Sequence, residues 1–423
     1  MLDLSVVLTD KKTVITALNK RGIDASTLID NALSADEKRR GLQTSLDQKL
    51  ALANALAKEI GELYKSGNPA QANQKKEESA ALKSETKDLQ TQLSQAESEL
   101  HELLCSIPNI PHSLVPNGQS EDDNEEVFRS GEVPSLSEDA LPHWELAAKY
   151  ELINFELGNK ITGAGFPVYT GKGAKLQRAL ISFFLDQNTA AGYEEVQVPH
   201  LVNEQSGFGT GQLPDKEGQM YHVGADNLYL IPTAEVPITN LFRNEIVNSS
   251  DLPITRTGYT PCFRREAGSY GAHVRGLNRL HQFDKVEIVR LEHPDKAYDA
   301  LDQMVEHVKG ILEQFELPYR ILRLCGGDLG FTAAMTYDFE IYSTAQKRWL
   351  EVSSVSNFES YQSTRLKLRF KDNDGNRKWV HTLNGSALAL PRIMAGLLEN
   401  HQSENGIHIP KALASYTGFD TIH

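Results

Sequence analysis

The sequence predicts an α+β protein: an N-terminal antiparallel coiled-coil hairpin of helices, then a domain built on an antiparallel sheet flanked by helices. Three observations predict it. A heptad-patterned segment runs from Ser34 to about Leu104 with one break in its middle. Beyond His143, strand-like runs come in clusters (194–202, 258–266, 279–292, 337–342, 348–355 and 379–383) and do not alternate regularly with helices. Neither GxxxxGK[ST] nor a strand-linked GxGxxG is present, so the common parallel-sheet nucleotide folds lack their fingerprint.

In the hairpin, the second half places Leu82, Thr86, Leu89, Leu93, Ala96, Leu100 and Leu103 at alternating spacings of four and three, a coiled-coil seam with one polar lapse at Thr86. The first half fits the same repeat through Leu42, Leu46, Ala53, Leu56, Ile60 and Leu63, with Lys49 as its lapse. Between them Lys65-Ser66-Gly67-Asn68-Pro69 reads as a turn, because Gly closes a helix well and Pro opens one. A dimerising coiled coil would show the same heptads, but the short turn favours a hairpin folded on itself. Two helices of about 30 residues at about 1.5 Å per residue make an arm of roughly 45 Å.

Composition bounds the rest. A chain of 423 residues suggests two domains, and 40% hydrophobic with 24% charged residues is globular. No run of about 18 apolar residues would span a membrane, and Met1-Leu2-Asp3-Leu4 opens no signal peptide. Cys105, Cys262 and Cys325 are isolated, which suits a reducing cytoplasm and gives neither a disulfide framework nor a zinc knuckle. The net charge of −14 opposes a broadly basic nucleic-acid surface, although a local stripe would be enough to dock RNA. Domain boundaries are expected at 1–104 for the arm, 105–142 for a Pro-rich linker with a solvated acidic run at Glu121–Glu126, and 143–423 for the second domain.

The chemistry concentrates between Tyr259 and Leu291. Cys262-Phe263-Arg264-Arg265-Glu266 reads as a strand end, followed by a loop with Gly268, Gly271, Arg275 and Gly276, then a strand from Arg279. Strand alternation puts Arg264 with Glu266, and Arg279 with Phe283 and Glu287, while Val286 and Ile288 face the core. A paired hairpin would then present arginines, carboxylates and an aromatic ring on one face, groups able to grip phosphate, stack on a base and hold amino groups. The same pattern also suits an exposed, salt-bridged sheet surface. Thr233-Ala234-Glu235 sets a hydroxyl near a carboxylate at a helix start. Glu351-Val352-Ser353-Ser354 ends a strand with oxygen donors of the kind Mg²⁺ takes. Thr382 to Arg392 reads as a strand-to-helix turn with a single arginine.

At these residues the chain resembles a known family. Phe263-Arg264-Arg265-Glu266 is similar to motif 2 of class II aminoacyl-tRNA synthetases, and the turn ending at Arg392 to motif 3. The helix from Ala174 to Asp186 followed by Tyr193 to Pro199 resembles motif 1. Within the class, Thr233-Ala234-Glu235, Arg279 to Glu287, Glu351 to Ser354 and Asn384-Gly385-Ser386 resemble the bacterial-type seryl-tRNA synthetases, as does the N-terminal hairpin.

The resemblance implies a cytoplasmic, homodimeric enzyme without a membrane segment that activates L-serine with ATP and Mg²⁺, expects no zinc, and charges tRNA(Ser) and tRNA(Sec) through its arm. Carried over, Arg264 bridges the α-phosphate and the serine carboxylate, and Arg279 neutralises phosphate charge. Arg264, Arg265, Glu266, Phe283, Glu351, Val352, Ser353, Ser354 and Arg392 form the ATP site. Within it, Glu266 reads the adenine amino group, Phe283 and Arg392 sandwich its ring, and Glu351 and Ser354 hold the metal. Arg264, Thr233, Ala234, Glu235, Glu287, Asn384 and Ser386 form the serine site. Alternation alone would pair Glu351 with Ser353, so a metal ligand at Ser354 requires a turn or a bulge there. Ala387, Pro391 and Thr364 depart from the family pattern; Pro391 suits the first turn of a helix, and Arg365 stands beside Thr364 as a substitute arginine. An amino acid:carrier-protein ligase would share the catalytic domain but lack the arm.

Overall fold

The structure, a computed structural model, describes residues 1–136, 140–215, 217–266 and 275–423. Gly268 and Gly271 of the glycine-rich loop lie outside the described residues. The chain forms two compact units, one of Leu2–Asn19 with Ile23–Pro108 and one of Met1, Lys20–Gly22 and Asn109–His423.

In the first unit, helices α1 (Ala25–Lys65, 41 residues) and α2 (Pro69–Ser106, 38 residues) form an antiparallel pair. From Leu46 to Leu63 and from Leu82 to Leu100 every seam position, the lapses Lys49 and Thr86 included, is more shielded than its flanking residues; at the base of the hairpin the burial shifts from Leu103 to its neighbour Leu104. Lys49 escapes burial of its charge by pairing with Glu85 at 2.6 Å, and Lys38–Glu99 at 2.9 Å fixes the same register. Gly67, at φ +79°, supplies the left-handed step of the turn, and Pro69 opens α2. At about 1.5 Å per residue α1 is about 60 Å long, more than expected. The cause is its start: Asp24 caps it by accepting from the Thr27 backbone N–H at 3.2 Å, and burial of Ala25, Ile29 and Ala32 continues the helix through Ser34.

The second unit is organised by an eight-stranded sheet. In chain order its strands are β1 (Glu125–Ser130), β2 (Glu194–Glu195), β3 (Ile254–Phe263), β4 (Gln282–Glu292), β5 (Tyr319–Arg323), β6 (Met335–Ser343), β7 (Arg348–Glu359) and β8 (His381–Ala389). Their spatial order is β1-β5-β6-β7-β8-β4-β3-β2, antiparallel except where β2 runs parallel to β3. Helices α3 (Gly171–Ala190), α4 (Ala297–Glu313) and α5 (Leu390–Asn400) share one core with the sheet, through Leu180, Phe184, Met304, Ile311, Met394 and Leu397 packed with Val286, Ile288, Phe339 and Ile341. The alternation expected in β4 therefore holds: Val286 and Ile288 enter this core, which leaves Lys285 and Glu287 for the other face.

Three local expectations change. The 194–202 run splits into β2 and a separate strand Leu201–Asn203, with Pro199, which lacks an N–H for a ladder, between them. The 258–266 strand begins earlier and stops at Phe263; Glu266 has φ +49°, so strict alternation does not extend to it. The 105–142 segment is more than a linker. Its acidic run includes a 3₁₀ turn, Glu121–Asp123, and enters edge strand β1, where Glu125 pairs with Arg323 and Glu126 with Arg129 and Arg320.

Candidate active site

Two adjoining regions emerge on the cleft side of β3, β4, β7 and β8. The first is an open cleft lined by Arg264, Glu266, Arg279, Phe283, Lys285, Glu351, Val352, Ser353, Ser354, Ser386 and Arg392, with a void of about 700 Å³ out to its mouth. Arg264 follows directly on β3, and its backbone N–H donates to the His281 carbonyl at 2.9 Å. Because Cys262 stands opposite Phe283, Arg264 shares the face of that ring, and its guanidinium lies 5.2 Å from the ring centroid. Arg279 pairs with Glu266. Arg392, in the first turn of α5 just after Pro391, donates from Nε to the Asn278 carbonyl at 3.1 Å and from Nη1 to the Glu351 carbonyl at 2.9 Å. It thereby ties the start of α5 both to β7 and to the turn that precedes β4. Arg265 is not part of the cleft lining: its side chain is exposed, and its backbone N–H donates to the Gln219 carbonyl.

The tension between Glu351 and Ser354 has a direct resolution. The ladder of β6 and β7 pairs Phe339 with Ser353 but Glu340 with Glu351, so Val352 is an extra residue in a β-bulge. The bulge shifts the parity of β7. Val352 and Val355 both enter the core, Ser353 lies opposite the core residue Phe339, and Ser354 shares the face of Glu351. Opposite Ser354 stands Asp338, half-buried, with Ser354 as its hydrogen-bond partner and with a buried Oδ1 that lacks any partner. Burial first and the nearby Glu351 charge second hold the Asp338 carboxyl far above the ordinary carboxylate range. A carboxylate at Glu351, a hydroxyl at Ser354 and an unsatisfied buried carboxyl oxygen behind it form a hard-oxygen donor set that fits Mg²⁺.

The second region is a buried polar pocket. Thr233 Oγ1 donates to Glu287 Oε2 at 2.9 Å and accepts from the Glu235 backbone N–H at 3.2 Å. Lys285 Nζ sits 2.6 Å from the same Glu287 oxygen. Glu235 Oε1 accepts from Gln362 Nε2 at 2.6 Å, and Asn384 is a further hydrogen-bond partner. Burial, then the Glu287 charge, push the Glu235 carboxyl up to about 7. Ser386 stands opposite Glu287 in the β4–β8 ladder, and its carbonyl accepts from Ser353 Oγ at 2.6 Å. Ala234 is fully buried and packs with Ile238 and Val289, so its side chain belongs to the core.

Of the sequence-derived candidates, only Arg265 is exposed away from both regions, while the side chains of Ala234 and Val352 are absorbed by packing. Three residues went unrecognised. Lys285 shares the parity of Phe283 and Glu287, a signal present in the sequence. Asp338 and Gln362 reach the site only through strand pairing and tertiary packing. Arg365 is no substitute cleft arginine: it is buried and donates to the Phe208 and Leu213 carbonyls at 3.2 and 3.1 Å.

Comparison with known proteins places the chain in a family. Residues 1–111 match the model of the seryl-tRNA synthetase N-terminal domain, and residues 221–401 that of the tRNA synthetase class II core domain (G, H, P, S and T). The chain is 49% identical over 424 residues to a serine–tRNA ligase of Salinibacter ruber, covering 100% of this chain and 99% of the relative. It superposes on a seryl-tRNA synthetase from Pyrococcus horikoshii, solved in complex with ATP, with a TM-score of 0.92 at 32% identity, covering 100% and 99% of the two chains. A cytoplasmic serine–tRNA ligase from Naegleria fowleri, solved with AMP, gives a TM-score of 0.86 at 24% identity, covers 98% and 96%, and speaks for the fold alone. Full-length likeness and a class II core with a seryl-type N-terminal hairpin lead to one conclusion: the chain belongs to the seryl-tRNA synthetase family, enzymes that ligate serine to tRNA.

Proposed function

We propose that this chain forms seryl-adenylate from L-serine and ATP, releasing pyrophosphate, and transfers the seryl group to the 3′-terminal ribose hydroxyl of tRNA(Ser) and tRNA(Sec). The observation that carries the reading is the junction of a cationic, aromatic-floored cleft with a buried pocket of paired carboxylates. The serine carboxylate is itself the nucleophile, so attack on the α-phosphorus needs alignment and charge neutralisation in place of a general base. Arg264, between the two regions, bridges the serine carboxylate and the α-phosphate. Phe283 takes one face of the adenine and Arg392 the other. Glu266 accepts from the adenine amino group, and Arg279, its ion-pair partner, neutralises phosphate charge. Glu235, Asn384 and Thr233 hold the serine ammonium end, while Glu287 and Ser386 read its hydroxyl.

Glu351 and Ser354 would hold Mg²⁺ with ATP, and Asp338 would orient Ser354 through their hydrogen bond. When bound, the ion supplies Lewis-acid neutralisation of phosphate charge. The hairpin of 1–104 serves as the tRNA arm and 143–423 as the catalytic domain. Helix α3, in the motif 1 position, forms the contact of a homodimer, and the enzyme works in the cytoplasm.

Serine-dependent ATP–pyrophosphate exchange tests the core of this reading: robust exchange is expected, and none from well-folded protein overturns it. Deleting the coil between Ser34 and Leu104 is expected to spare exchange and abolish tRNA charging. Intact charging after that deletion would refute the arm's role.

A further inference from the structure

The pocket holds an asymmetry that the reaction outline leaves unused. It contains two buried carboxylates, yet only one has a built-in cation. Lys285 Nζ lies 2.6 Å from Glu287 Oε2, and both side chains are almost fully shielded, at 8% and 1% exposure. Thr233 Oγ1 donates to that same oxygen at 2.9 Å. Glu235 is held instead by neutral amides, Gln362 at 2.6 Å and Asn384. An amino-acid substrate brings one ammonium, and electrostatics alone would let it choose either acid.

We infer that Lys285 is the specificity-determining residue of the pocket: by occupying Glu287 it turns that acid into a hydroxyl reader and leaves Glu235 as the only site for the substrate ammonium. This rests on the serine assignment of the pocket made above. A carboxylate already paired with a buried ammonium is close to neutral as a unit, so it attracts a second cation weakly. Its remaining lone pairs still accept an O–H, and Glu287 keeps Oε1 for that purpose. At Glu235 the balance is opposite. The ammonium of the substrate supplies the missing counter-charge where burial and Glu287 otherwise favour the protonated acid. With Lys285 present, two acids face two cations once the substrate is bound, and each acid has its own. Lys285 is thus a positioning residue that acts through Glu287.

The discriminating probe is L-2,3-diaminopropionate, a serine in which a cationic side-chain ammonium replaces the hydroxyl, used at a pH that keeps this amine protonated. Its competition with serine is read in ATP–pyrophosphate exchange by the full-length enzyme. The wild type is expected to bind it at least ~100-fold more weakly than serine, because Lys285 already fills the cation site. Lys285→Met bares the Glu287 charge and is expected to bring the two ligands within about tenfold, while Lys285→Arg keeps the wild-type preference. Equal binding of both ligands by the wild type overturns the inference without any variant. So does an unchanged preference in Lys285→Met that retains the wild-type melting profile, and Lys285→Gln serves if the methionine variant does not fold. Absence of serine-dependent exchange in the wild type would refute the serine assignment itself, a distinct outcome.

Discussion

The two halves of the candidate active site are built on different electrostatic terms. In the buried pocket the side chain of Glu287 is 1% exposed, and the side chains of Thr233, Glu235, Glu287 and Asn384 all have protein partners. In the cleft the side chains of Arg279, Arg392 and Glu351 are 44%, 31% and 49% exposed; Arg279 pairs with Glu266, and Arg392 with Glu351 and two backbone carbonyls. Charges in the pocket interact in a low dielectric and are costly to leave alone, whereas those in the cleft are screened and free to exchange partners. A small substrate recognised by a hydroxyl and an ammonium suits the former. A large, highly charged nucleotide suits the latter, where protein ion pairs can be traded for contacts to phosphate and base.

This contrast sets the scale of four expected outcomes. Glu287→Gln strands the Lys285 ammonium in a dry pocket, so it should cost about 3–5 kcal/mol of folding stability and sharply raise the serine KM. Thermal melts with exchange kinetics check it, and a variant as stable as wild type would break the contrast. Arg264→Ala, in the open cleft, should lower exchange by about 10²–10³-fold while leaving the melting temperature almost unchanged.

Glu235 gives a pH signature. Its folded-state value of about 7 lies above the ordinary 4.5, so between those limits the folded protein holds the extra proton. Its contribution to stability is full below the lower limit and is lost as pH rises through 7, a change of order 3 kcal/mol. Denaturant melts from pH 4.5 to 8 should show the loss, and Glu235→Gln should flatten it. Loss of the proton should also tighten serine binding about tenfold between pH 6 and 8, read from the serine KM. Smallest is the pair of Arg392 and Glu351 at 3.4 Å: Glu351→Ala should change stability by less than about 1 kcal/mol, with its effect falling instead on the metal dependence of exchange.

Local pattern made much of this legible. The heptads located the seam of the hairpin from Leu46 to Leu63 and from Leu82 to Leu100, lapses included, and period-two alternation sorted Val286 and Ile288 from Lys285 and Glu287. What escaped depended on register or on capping. Asp338 meets Ser354 only across the β6–β7 ladder, and Gln362 meets Glu235 from a helix more than a hundred residues away. The hairpin's true start was hidden because Asp24 is as ordinary a residue as the Ser34 that seemed to open the helix. Lys285 is the instructive omission: it shares the parity of Phe283 and Glu287, and lysine is rarely buried unless it is paired, as it is here with Glu287.

The bulge at Val352 acts as a phase shift in a two-letter code of inside and outside. A strand of the same sequence paired without the bulge would turn Ser354 toward the helices and Val355 toward the cleft, whereas deleting Val352 would restore plain alternation and leave both facing as they do. The placement of Ser354 beside Glu351 therefore depends on a count of residues as much as on their identity.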